Sequence, residues 1–345
     1  MPAPLLVGAM AVVAACLSAA LILLLRPWLR TYALASPNAR SSHQEPTPQG
    51  GGIAVVSAVL ATAWCVAALY PGILDQQLQP FLALTAAAAL LAIVGAIDDI
   101  RGLSEAPRLA LQCLAVGTVV ATLPTDFQII SFIPGWLERL GLFVVGVWFV
   151  NLVNFLDGID WMTVAETVPI TAAIGLLGFF GVVSWLTSVV ALALLGAILG
   201  FAPFNKPVAK LFLGDVGSLP IGLLLGWLLL QLAGHGYLAA ALLLPLYYLA
   251  DATLTLFRRL AAGERIWQAH RGHFYQRATE RGFSVREVIA RVFFVNLVLA
   301  ALALLTVAYR GPVVSTLALV TGSALVAGLL AHLARGKGRK GLQSP

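Results

Sequence analysis

Residues 80–101 read PFLALTAAAALLAIVGAIDDIR. The first 18 positions carry no charge; two aspartates, Asp98 and Asp99, then stand side by side ahead of Ile100 and Arg101. A hydrocarbon layer about 30 Å thick needs about 20 apolar helical residues to cross it. The stretch therefore predicts a membrane-spanning helix that delivers paired carboxylates to one surface. Outward from it, ten more apolar stretches follow the same pattern, at about 4–25, 52–70, 108–124, 140–156, 163–181, 184–203, 217–234, 238–257, 291–309 and 312–333. The charge-free run between Glu166 and Lys206 is too long for one helix and is expected to turn near Gly178 and Gly181. The reading is an all-α polytopic integral membrane protein of about eleven transmembrane helices. Of the 345 residues, 60% are apolar and 10% charged, with a mean hydropathy of +0.93. Soluble domains carry about 45–50% apolar and about 25% charged residues, so that class is excluded. The alternating ten-residue strands of an outer-membrane barrel are missing too.

Charge placement orients the spans. With the N-terminus outside (periplasmic), 19 of the 21 Lys and Arg residues fall on the inner side, leaving only Arg139 and Arg310 outside. This is the bias expected of cytoplasmic loops, and it puts the C-terminus in the cytoplasm. A single transmembrane domain over 1–335 results, with inner loops at 26–51, 98–107, 157–162, 204–216 and 258–290, followed by a basic tail at 336–345. The net charge of +6 is thus a topology signal, not a nucleic-acid footprint, and the lipid bilayer is the partner it addresses. Cys16, Cys65 and Cys113 show neither pair nor metal spacing and read as helix filler.

Carboxylates contribute little to topology, so their positions inform about chemistry. Adjacent Asp98 and Asp99 repel unless a cation relieves them. Asn151, Asn154, Asp157 and Asp160 recur every third residue at the end of the fifth span; on a helix the first three share a face and can point into one cleft, and Gly158 then allows a turn that presents Asp160. Such a row beside lipid is costly to keep without a function. Asp215 sits between Gly214 and Gly217 at the start of the eighth span and reads equally as an N-cap or as part of a phosphate site at a helix N-terminus. Hard oxygen ligands without a His or Cys cage suit Mg²⁺ or Mn²⁺ carried with a phosphate-bearing substrate. Arg40 and His43 precede a Pro/Gly loop at 46–52. The 258–291 loop sets Arg265, His270, Arg271, His273 and Arg277 beside Trp267 and Tyr275. Glu105, Glu166 and Glu287 read as ordinary helix ends. A polytopic transporter is the rival reading; it predicts internal repeats and mid-membrane charges, of which Asp251 is the one partial instance.

Taken together and in order from about residue 36 to 285, these motifs resemble the polyprenyl-phosphate N-acetylhexosamine-1-phosphate transferase family. The Asn154-Phe155-Leu156-Asp157-Gly158-Ile159-Asp160-Trp161 string and the Ala269-His270-Arg271-Gly272-His273-Phe274-Tyr275-Gln276 string are most similar to its O-antigen initiating branch. The resemblance implies transfer of an N-acetylhexosamine 1-phosphate from a UDP-sugar to undecaprenyl phosphate with release of UMP. It implies Mg²⁺ as cofactor and the cytoplasmic face of a bacterial inner membrane as the place. By motif, Asp215 resembles the family's magnesium-binding aspartate, with Asn154 completing the shell. Asp98 resembles the aspartate proposed as base or nucleophile, with Asp99 beside it. Asn151, Asp157, Asp160, Asn205 and Phe212 match positions around the nucleotide sugar, Phe212 being suited to stack on uracil. His270, Arg271 and His273 match the loop that engages diphosphate and sugar, and Arg40 and His43 are assigned to the lipid phosphate and diphosphate. Trp161 stands where family members usually carry glycine. The identity of the sugar and the oligomeric state, a homodimer among the options, stay open.

Overall fold

A computed structural model describes residues 4–35, 46–264 and 271–337. Within them the chain forms thirteen α-helices: α1 (Pro4–Tyr32), α2 (Gly51–Leu69), α3 (Leu78–Arg101), α4 (Glu105–Ala121), α5 (Gly135–Leu156), α6 (Met162–Phe179), α7 (Trp185–Phe201), α8 (Asp215–Gly234), α9 (Leu238–Leu243), α10 (Leu246–Ala261), α11 (Phe274–Glu280), α12 (Val285–Ala308) and α13 (Pro312–Arg335). The strand content is one two-residue antiparallel ribbon, β1 (Leu34–Ala35) with β2 (Thr47–Pro48). Eight helices, α1, α2, α3, α5, α6, α8, α12 and α13, are long and apolar enough to cross a membrane. The protein is an all-α polytopic membrane protein.

Each of the eleven expected spans falls on a helix or a pair of helices, with two corrections. α4 and α7 have 17 residues each and are not among the eight helices long and apolar enough to cross a membrane. The stretch read as one span at 238–257 is broken into α9 and α10. Pro245 stands at the break: it has no N–H to give to the preceding turn, and its ring clashes with the carbonyl four residues back. The expected turn after α6 is present, with Gly181 in the left-handed region at φ 70°, and Ser184 caps α7 by accepting the Thr187 amide. The seven-residue α11 inside the 258–290 loop was not anticipated.

α8 lies at the centre of the bundle. After Asp215 it carries no charge, and it is buried from Val216 to Ala233 on nearly every side, as a helix apolar all round must be. Its N-terminal end is reached by α2 and α3 through glycines. A Cβ on Gly52 would lie 2.2 Å from the Gly217 Cα, and one on Gly95 would lie 2.3 Å from the Asp215 carbonyl. Bare backbones thus meet where a side chain would keep them apart. On another side of the bundle α1 packs chiefly against α7, where Gly196 and Gly200 approach the Ala11 and Ala15 carbonyls.

Candidate active site

Those of the residues singled out from the sequence that the structure describes gather at one end of the bundle: the C-terminal ends of α3 and α5, the N-terminal end of α8, the 202–214 connection and the start of α11. Asp98 and Asp99, one residue apart and so about 100° apart around α3, face different partners. Asp98 accepts the Leu103 amide at 2.5 Å and receives the Arg108 guanidinium of α4 at 2.7 Å. The same Arg108 nitrogen lies 3.7 Å from an Asp215 carboxylate oxygen. Two carboxylates from α3 and α8 therefore converge on one cation. Asp215 also accepts the Asn154 amide at 2.9 Å, and Asn154 donates again to the Ser218 hydroxyl at 2.8 Å.

Asp99 is turned the other way. Its two carboxylate oxygens accept the backbone amides of Asp215 at 2.9 Å and Val216 at 3.1 Å, while the Gly217 and Ser218 amides both go to the Gly214 carbonyl. The first four amides of α8, which a helix cannot satisfy within itself, are all used. This corrects the phosphate reading of that terminus and the reading of Asp215 as cap: the cap is Asp99, reaching across from α3. Gly214, with φ 77°, leaves room for it, since a Cβ there would sit 2.4 Å from an Asp99 oxygen. The Asp99 backbone carbonyl in turn accepts the Gln49 amide at 2.7 Å.

The asparagine–aspartate row of α5 is split. Asn151 donates to Gln112 of α4 at 2.7 Å and to the Val147 carbonyl, so it points away from the site that Asn154 faces. Asp157 lies beyond the end of α5, beside the Thr163 hydroxyl that donates to it. Burial raises its pKa from an ordinary 3.8 to about 7; the Thr163 bond opposes the rise, and the neighbouring Asp99 and Asp160 charges add to it. Asp157 thus stays protonated in the folded protein through a range where it ionises in the unfolded chain. Folding stability is expected to fall as pH rises from about 4 to about 7 and to level off above. Asp157→Asn should flatten that slope in thermal melts of the detergent-purified protein; an unchanged slope would contradict the assignment.

The loops before α6 and α8 are braced by the other predicted nucleotide ligands. Asp160 accepts the Ala209 amide at 2.9 Å. Asn205 accepts the Trp161 amide at 2.7 Å and donates to the Leu211 carbonyl at 3.0 Å, so both ends of its side chain are spent on backbone. Trp161 is a non-glycine residue at φ 63°, a conformation costing about 1 kcal/mol or more in any residue with a Cβ. Its indole N–H donates to the Ala202 carbonyl at 2.6 Å, which helps hold the turn where glycine would sit without strain. Phe212 is half-buried, and its backbone bonds Pro48 and Gly51 while Leu213 receives the Gly52 amide. That ladder stitches the Pro/Gly loop at 46–52 to the entrance of α8.

In the basic loop, Arg271 pairs with Glu280 at 3.5 Å. His273 is 3% exposed and is the N-cap of α11; its Nδ1 lies 3.1 Å from Asp251. Arg40, His43 and His270 lie outside the described residues. Sequence reasoning missed Arg108, counted only as topology charge, and the full role of Asp251, a lone carboxylate in an apolar span whose cost was itself a signal.

A hard divalent cation fits this arrangement. Asp98 and Asp215 already share a cationic partner, their donors are oxygens, and Asn154, with its amide hydrogens on Asp215 and Ser218, retains a carbonyl oxygen as a further ligand. Among the described residues no group of three or more His, Cys, Asp or Glu forms a metal cage, so water or substrate oxygens would complete the shell.

The sequence pattern of glycosyl transferase family 4 matches residues 81–233, a segment that contains Asp98, Asp99, Asn154, Asp157 and Asp215. The chain is 31% identical to the decaprenyl-phosphate N-acetylglucosaminephosphotransferase of Mycolicibacterium smegmatis, over 77% of this chain and 73% of that one. It is 28% identical to the undecaprenyl-phosphate alpha-N-acetylglucosaminyl 1-phosphate transferase of Escherichia coli K12, over 78% and 75%. It is 25% identical to the probable undecaprenyl-phosphate N-acetylglucosaminyl 1-phosphate transferase of Bacillus subtilis, over 83% and 82%. These likenesses run along the same helices that carry the paired carboxylates, and the chain belongs to the polyprenyl-phosphate N-acetylhexosamine-1-phosphate transferase family.

Proposed function

We propose that this phosphosugar transferase moves an N-acetylhexosamine 1-phosphate from a UDP-sugar to undecaprenyl phosphate, releasing UMP, as the initiating step of O-antigen or another cell-envelope polysaccharide. The observation that supports it most is the convergence of Asp98 and Asp215 on Arg108 at one end of the spanning helices. A lipid phosphate and a soluble nucleotide can meet only where hydrocarbon ends. The proposed place is the cytoplasmic face of a bacterial inner membrane, in keeping with the distribution of Lys and Arg.

Phosphoryl transfer is mainly positioning and charge neutralisation. Mg²⁺, or Mn²⁺, held by Asp215 with Asn154 would supply charge neutralisation for the diphosphate. Arg108, aimed by Asp98, presents a second positive charge to the same place. Asp98 orients the lipid phosphate or takes its remaining proton. A lipid phosphate oxygen then forms a bond to the β-phosphorus while the bond from that phosphorus to the bridging oxygen breaks, and UMP leaves with that oxygen. The lipid phosphate is already an anionic nucleophile, so a single displacement needs no covalent enzyme intermediate. Phe212 and the 157–161 turn are the residues assigned to the nucleotide.

The experiment uses sealed inside-out membrane vesicles that contain the protein, given labelled UDP-N-acetylhexosamines from outside. UMP release is expected only with polyprenyl phosphate and a divalent cation present, and not from sealed right-side-out vesicles. Labelled sugar phosphate trapped on the protein in the absence of lipid would overturn the single displacement. Activity from right-side-out vesicles alone would overturn the orientation, and transport of the intact nucleotide sugar would restore the transporter reading.

A further inference from the structure

The face of α10 that carries Tyr247, Asp251, Thr255 and Arg258 does more than bury surface. Asp251 is fully buried and its carboxylate sits among five donors. Within its own helix these are the Tyr247 hydroxyl at 3.2 Å and the Thr255 hydroxyl at 3.3 Å. From the other side come His273 Nδ1 at 3.1 Å, the Phe274 amide at 3.1 Å and the Tyr275 amide at 3.4 Å. Two turns along the same face, the Arg258 guanidinium donates to the Gly272 carbonyl and lies over the Phe274 ring at 5.6 Å. Four consecutive residues, 272 to 275, are therefore held by two side chains of one helix. Beyond them Tyr275 donates to the Phe155 carbonyl at 3.1 Å, and its hydroxyl fills the space a side chain at Gly158 would need, 2.1 Å from a Cβ there.

A carboxylate buried among apolar helices is expensive, and a seven-residue helix that already buries Tyr275 and Ala278 does not need one merely to pack. We infer that α10 is a clamp, with Asp251 and Arg258 as positioning residues that fix where the Arg271-bearing segment rises beside the Asp157 turn. Asp251 holds the His273 ring in one tautomer and one plane, as carboxylates do for functional histidines. Arg258 sets the register one residue earlier. The clamp thus governs the donor side of the site and leaves the α3–α4–α8 side, where the lipid phosphate is proposed to bind, untouched. This inference rests on the proposed reaction only for its kinetic arm.

The test compares the purified full-length protein with Asp251→Asn, Arg258→Leu and Arg258→Lys. Asp251→Asn removes the charge and gives the amides a poorer partner. Arg258→Leu removes the donor to Gly272, and Arg258→Lys keeps one. The expected result is a rise of about tenfold in KM for the UDP-sugar with Asp251→Asn and Arg258→Leu, a KM for undecaprenyl phosphate within about twofold of wild type, and recovery with Arg258→Lys. Trypsin cleavage after Arg277, which needs no activity, should quicken in the first two variants and return to the wild-type rate in the third. If Asp251→Asn does not fold, the two Arg258 variants decide the matter. Both KM values rising together, or cleavage and donor KM unchanged in folded Arg258→Leu, would overturn the clamp. Wild-type protein that releases no UMP would sink the proposed reaction instead, and the cleavage arm would still judge the clamp.

Discussion

Asp215→Asn should lower the rate of UMP release by about two to three orders of magnitude while the protein still inserts and purifies normally. The substitution keeps the shape of the side chain, its acceptor for Asn154 and its place near Arg108. It removes the negative charge that a divalent cation would need. Arg108 would then hold a single carboxylate, that of Asp98, and the diphosphate would lose its principal counter-charge. The measurement is initial rate over a Mg²⁺ titration. Near-normal turnover at saturating Mg²⁺ would remove Asp215 from the metal site.

Gly95→Ala should damage the same site from behind. The added Cβ would fall 2.3 Å from the carbonyl carbon and oxygen of Asp215, backbone atoms that cannot rotate out of the way, so α3 and α8 must part. Overpacking of this kind costs about 1–3 kcal/mol. The shift also stretches the two bonds from Asp99 to the α8 amides and separates Asp98 from Asp215, and a displacement of about 1 Å among reacting groups can cost about a hundredfold in rate. Thermal unfolding in detergent and turnover are read together, with Gly141→Ala as control because nothing lies within 4 Å of a Cβ at that position. Gly95→Ala melting and turning over like Gly141→Ala would show that the α3–α8 contact is soft.

The membrane class and the gathering of carboxylates at one end were legible because both rest on local facts: apolar runs of spanning length, and charges at their boundaries. What a side chain meets on another helix is not local. Asp98 and Asp99 are adjacent in sequence, yet one turns to Arg108 and the other to the α8 amides. Asn151 and Asn154 share a predicted face, yet that face is wide enough for one to meet α4 and the other α8. Asn205 is assigned to the nucleotide sugar by its match to a family motif, and that match does not show that its side chain also braces two backbone segments. The break at Pro245 was written in the sequence and was outweighed there by the apolar run around it. The strain at Trp161 could not be read from the residue itself, since only the backbone angle reveals it.

The glycine seam between α1 and α7 has a bearing on biogenesis. α1 packs chiefly against α7, which is made six helices after it. Until Gly196 and Gly200 reach the bilayer, the Ala11 and Ala15 ridge has no such partner. α1 must therefore wait in lipid as a tethered anchor and find its groove by diffusion in the plane of the membrane. The chance of meeting falls with tether length, so shortening the intervening loops would speed this closure, and the seam would form after synthesis of α7, not in the order of the sequence.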